Sequence, residues 1–152
     1  MAIERNLVVP AGARILTVQL VRRPSGKFDN KIAGSYYFDV SNTMAAALRD
    51  AAIQMRKTHK PVGIIVWGTH GGHAWVMTGF TSDHDPLAGG SFTVTSIQAM
   101  GPLWPLGTID GHSYDPGPKT WVGMAELTRK FTAYYAPKSP EWVGKWLTVL
   151  PG

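Results

Sequence analysis

Apolar positions along the chain follow two periods, and the switches between them mark out the elements. From Ala13 to Val21 hydrophobic and polar residues alternate, the period of a half-buried strand. Pro24-Ser25-Gly26 punctuates that run, and Gly34 to Phe38 is its expected return partner. Ser41-Asn42-Thr43 then offers side chains able to accept hydrogen bonds from the first amides of a helix. Met44, Leu48, Ala51 and Met55 follow at intervals of four, three and four, one face of a helix that should close near Thr58, before Pro61. Val62 to Trp67 and His73 to Thr78 read as two strands joined by a glycine turn, and Ser91 to Met100 as a third strand of the same antiparallel set. Gly101 to Pro118 reads as a long Pro/Gly-rich loop, a length that in compact domains often carries function. Met124, Leu127 and Phe131 predict a short second helix, with Glu126 early and Arg129-Lys130 late as the dipole prefers, and Trp146 to Leu150 a closing strand. The expectation is one α+β domain over 1–152, an antiparallel sheet with one long and one short helix, preceded over 1–40 by a β-rich segment.

Composition narrows this picture without changing it. With 44% hydrophobic and 16% charged residues the chain is an ordinary folded domain, and 17 Gly with 11 Pro argue for many turns. The net charge of +5 is scattered. Its densest groups are Arg22-Arg23 and the Arg56-Lys57-Thr58-His59-Lys60 helix end, and the basic residues of that last helical turn fit dipole complementation better than a binding patch, so no nucleic-acid partner is expected. No apolar stretch reaches membrane-spanning length, and the first residues lack the basic-then-apolar form of a signal peptide, so neither a membrane partner nor a compartment is indicated. The absence of cysteine removes disulfides, thiolate metal sites and a thiol nucleophile from this polypeptide.

Candidate chemistry gathers at the glycine turn. His73 begins a strand beside Gly71-Gly72, where the strand fixes an imidazole and the turn leaves it room to face a cleft, a good mounting for a general base. The alternative is a histidine that only caps the strand. A metal centre would need His70, His73 and His84 with Asp83 and Asp85, but no compact ligand motif is present and Asp83 and Asp85 suit a hairpin turn rich in Gly and Pro, so no cofactor is expected. Trp67 and Trp75 lie inside apolar strands, while Trp104, Trp121 and Trp142 occupy loop or helix-edge contexts. Trp75, Trp104 and Trp121 are the candidate binding aromatics. Phosphate-loop and dinucleotide fingerprints are missing, because Gly68, Gly71 and Gly72 make neither spacing.

Lys60-Pro61-Val62-Gly63-Ile64-Ile65-Val66-Trp67, followed by Gly72-His73-Ala74-Trp75-Val76-Met77-Thr78-Gly79-Phe80, resembles the histidine half of papain-like cysteine peptidases, in the branch related to bacteriocin-processing peptidases. The similarity is best over 41–102 and looser to residue 150, so that 41–150 resembles the C-terminal, histidine-bearing part of such a domain. It implies that His73 takes the position of the family's general base, served by a cysteine on an earlier helix and oriented by an Asp or Asn after the next strand. That strand should end at an Asp-Pro pair, and this chain has Gly101-Pro102. Asp110 and Asp115 would replace the orienting group only if the loop folds back. The nucleophile has no counterpart: Ser25 and Ser35 lack a helix context, and Ser41 suits a cap or turn.

Three functional expectations follow. The first is a papain-like peptidase-related domain lacking its own nucleophile, either a degenerate peptide-binding domain or a fragment of a cysteine peptidase, inactive as this chain alone. The second is a non-enzymatic peptide- or glycan-binding module using the aromatic loop 101–121. The third is a metal-assisted hydrolase built on His73, His70 and Asp85 or Asp115. If part of such a fold is missing, the helix face of Met44, Leu48 and Met55 would need covering by a companion segment or a second copy.

Overall fold

The computed structural model describes residues 3–8, 16–22, 36–68, 71–101, 108–109, 112–113, 115–117 and 119–151. Every strand pairing is antiparallel, and the α+β class expected from the periodicities is what forms. Strands β1 (Ile3–Val8), β2 (Leu16–Arg22), β3 (Tyr36–Ser41), β4 (Val62–Gly68), β5 (Gly71–Ser82), β6 (Val94–Met100), β9 (Thr120–Gly123) and β10 (Trp146–Pro151) build one eight-stranded sheet, ordered β1-β2-β5-β4-β10-β3 with β6 and then β9 added to β5. The 101–118 segment is not wholly loop, since it holds the small hairpin β7 (Thr108–Ile109) with β8 (His112–Ser113).

The long helix α1 (Met44–Thr58) begins where the cap chemistry places it. Thr43 is the residue that accepts, its hydroxyl taking the Ala46 amide at 3.1 Å, while Ser41 closes β3 instead. The helix ends at His59, which adopts a left-handed conformation and donates its N–H to Met55 O. Ala47, Leu48, Ala51, Ala52 and Met55 are buried against the sheet, on Val62, Ile64 and Val66 of β4 and Met77, Phe80 and Leu150. The helix face that seemed to need an outside partner is therefore covered by the chain's own sheet, with Met44 packed at its margin. The second helix, α2 (Met124–Lys130), buries Leu127 and is followed by Phe131, which closes over the same core.

One pairing and one strand boundary differ from expectation. Tyr36–Ser41 pairs with β10 and not with the strand before it, which lies instead between β1 and the distal half of β5. Intervening residues do not force neighbours in sequence to be neighbours in a sheet when a longer connection is available. Ser91 to Thr93 stand outside β6 because the Asp83 carboxylate takes the Thr93 amide, closing the turn there.

Register decides which way the histidine strand faces. His73, Trp75 and Met77 lie opposite Val66, Ile64 and Val62 of β4 and share the face covered by α1. A bulge at Thr78 then shifts the parity, so that Phe80 and Ser82 also turn inward. On the opposite face Trp67 lies across Gly72, where a Cβ would meet its Cε2 at 2.8 Å, so only glycine fits beneath the indole. Tyr134 and Tyr135 pack edge-on against that indole at 4.7 and 5.0 Å.

Candidate functional site

The site is assembled from one strand and one returning segment. β5 supplies His73 and Trp75, two residues apart and hence on the same face. Trp75 is buried, stacked edge-on against Phe131 at 5.0 Å. The returning segment, 115–117, supplies Asp115. Its position is set by the Gly101 amide, which donates to Pro116 O at 3.0 Å just after the end of β6.

Both side chains of β5 address the same oxygen. The Trp75 indole N–H donates to Asp115 Oδ1 at 2.9 Å, and His73 Nδ1 lies 3.2 Å from that Oδ1. The Asp115 side chain is fully buried, while the His73 side chain keeps 19% of its surface exposed. A carboxylate removed from water needs donors to hold its charge, and here they come from residues whose backbone the sheet has already fixed. The imidazole carries an acceptor on one nitrogen and a donor on the other when neutral. A carboxylate at Nδ1 fixes the proton there and leaves Nε2 as the basic atom.

Gly101 explains why the carboxylate comes from the loop. A Cβ at this position would overlap the Cβ and Cγ of Asp115. The strand end that the papain-like resemblance would furnish with an aspartate is thus the vacant backbone against which Asp115 packs. Asp115 is itself followed by Pro116, whose carbonyl accepts from the Gly101 amide beside the end of β6. Trp75 and Gly101 were not foreseen as site residues in these roles. The sequence names Asp110 and Asp115 alike, and the Asp-Pro dipeptide at 115–116 is the signal that could have separated them.

The remaining candidates lie elsewhere. Trp75 is spent on the core and on Asp115, whereas Trp121 on β9 is 38% exposed. Trp104, Asp110, His70, Ser25 and Ser35 lie outside the described residues. Asp85 holds Arg56 at 3.1 Å and the Leu87 amide at 2.9 Å, and His84 pairs with Asp83 at 3.2 Å, so these groups serve their own turn. Among the described residues no cluster of three metal-ligating side chains forms. Ser41 sits on β3, separated from β5 by β10 and β4, roughly 14 Å away at ~4.8 Å per strand. A groove of about 620 Å³, lined by Ala46, Arg49, Phe92, Val94, Gly123 and Met124, opens at the far end of β6 and includes no residue of the His73 site. Among the described residues no helix is long and apolar enough to cross a membrane.

No family model, curated protein or solved structure matches the chain, so the reading of the site rests on its geometry.

Proposed function

We propose that the chain is a papain-like peptidase-related domain that binds peptides beside an oriented imidazole and carries no nucleophile of its own. The observation that carries this reading is the fully buried Asp115 carboxylate at His73 Nδ1, brought there by a loop that folds back onto Gly101. An imidazole fixed by a carboxylate is the base half of a hydrolytic site. These 152 residues hold no cysteine to complete it, which fits either a degenerate peptide-binding domain or a fragment of a cysteine peptidase.

The test is peptide binding by fluorescence polarisation over a peptide library, with mass spectrometry of the same mixtures. Wild-type protein should bind a subset of peptides and leave them intact, and H73A and D115A should each weaken binding about tenfold, the equivalent of one lost charged hydrogen bond. Cleavage by the chain alone, or binding indifferent to both substitutions, contradicts the reading. The exposure of Trp121 favours a second reading, an aromatic binding surface on the 101–121 side. In that case W121A abolishes binding and H73A leaves it intact.

A further inference from the structure

We propose that Trp75 is a positioning residue of this site: its indole N–H, with the bare backbone of Gly101, sets the Asp115 carboxylate against His73. The inference rests on the reading of His73 as an oriented base and adds the residue that decides where the orienting oxygen sits.

Three observations converge. First, Trp75 Nε1 and His73 Nδ1 meet at one atom, Asp115 Oδ1, at 2.9 and 3.2 Å. Two donors spaced by a single strand repeat, about 6.6 Å along β5, locate that oxygen by triangulation. Second, Trp75 is held independently of the loop. It is 4% exposed, packs edge-on against Phe131, and stands opposite Ile64 in the β4–β5 ladder. Third, the backbone tie that brings the segment in, Gly101 N–H to Pro116 O, is made at the neighbouring residue, whereas the indole N–H acts on the Asp115 carboxylate itself. The empty Cβ position at Gly101 gives the carboxylate its space and the indole N–H gives it its direction. A tryptophan needed only for volume would be replaceable by phenylalanine. The geometry assigns the role to the nitrogen.

The experiment uses the full chain labelled with 15N and reads the His73 imidazole and the tryptophan indoles by NMR. In wild-type protein the Trp75 indole proton should exchange with solvent far more slowly than that of the half-exposed Trp121, and His73 should hold its proton on Nδ1. W75F keeps the ring against Phe131 and removes the donor. It should scramble the His73 tautomer and speed exchange of the Nδ1 proton at least tenfold, the fold-change of one lost hydrogen bond to a charge. Should W75F fail to fold, D115N and D115A decide alone. D115N keeps an oxygen for both donors and should preserve slow Trp75 indole exchange, which D115A should abolish. A folded W75F with an unaltered His73 proton overturns the proposal, as does a Trp75 indole that exchanges as fast as that of Trp121, or one whose protection survives D115A. These readouts need no peptide. If they hold and no peptide binds, the functional reading fails and the positioning role stands. If peptides bind through His73 while W75F changes nothing, the reverse is true.

Discussion

Two Asp-Pro dipeptides in this chain do opposite things. Asp85-Pro86 sits in the turn after β5, and its carboxylate serves that turn: Oδ1 takes the Leu87 amide at 2.9 Å and Oδ2 meets Arg56 of α1 at 3.1 Å. Asp115-Pro116 sits in a segment that returns to a strand it does not belong to, and its carboxylate meets two side chains of β5. The Asp85 side chain is 34% exposed and the Asp115 side chain is fully buried. Asp85 stays partly in water and joins its own turn to the neighbouring helix. Asp115 is taken wholly out of water and depends on two side chains that the sheet fixes.

Exchanging the two ends of the loop should break this contrast most severely. G101D alone puts a second side chain into the volume of Asp115 and should cost about 3 kcal/mol, the upper end for an overpacked core, read as the midpoint of urea unfolding. Combining it with D115G moves the carboxylate to the strand end. The double variant should recover a coupling of about 1–3 kcal/mol relative to the sum of the two single changes. Strict additivity would mean that Gly101 and Asp115 do not share one space.

Next in size is D115A, which leaves the Trp75 indole N–H buried without its acceptor and should cost about 2 kcal/mol in thermal or urea unfolding, whereas D115N should cost under about 1. D85A should cost only about 1 kcal/mol, because a partly exposed ion pair and one turn amide are lost. Burial raises the Asp85 pKa, but the Leu87 amide and Arg56 outweigh it and hold the carboxyl below its usual value. An acid depressed in the folded state stabilises above its unfolded pKa, about 3.9, and that contribution is lost as pH falls through the lower folded value. The difference in melting temperature between wild type and D85A should therefore shrink as the pH is taken below about 4.

The smallest effect should come from a third carboxylate with the reverse balance. Burial, then Asp39, raises the pKa of Asp50 on α1, with Ser41 and Arg49 acting the other way. An acid raised in the folded state loses stability as pH climbs above its unfolded value. D50N should thus melt slightly higher than wild type at pH 7, with the gain vanishing below about pH 4. A D50N protein that melts lower at neutral pH contradicts this assignment.

How much of this was visible in the chain follows from the same residues. The helix at Met44–Thr58 was legible because cap, period and stop agree, and the β4–β5 hairpin because glycine punctuates two apolar runs. The facing of His73 was not, since Ala74 and Val76 on the outer face are as apolar as Trp75 and Met77 on the inner one, and alternation then carries no sign. The pairing of β3 with β10 was hidden for another reason. It joins residues about a hundred positions apart, and nothing local in Tyr36–Ser41 names its partner. Asp115 was nameable as a candidate, with Asp110, only from its place in the loop after β6. Its docking on Gly101 depends on an absent side chain, which a sequence states only as one more glycine among 17.

The central claim is that a carboxylate from the returning loop fixes the imidazole of His73, and the nitrogen-15 spectrum of that imidazole tests it most directly. At a pH where the ring is neutral, wild-type protein should show one dominant tautomer with the proton on Nδ1, and D115A should show a mixture weighted towards Nε2. A wild-type ring already protonated on Nε2, or a tautomer balance identical in the two proteins, would contradict the account.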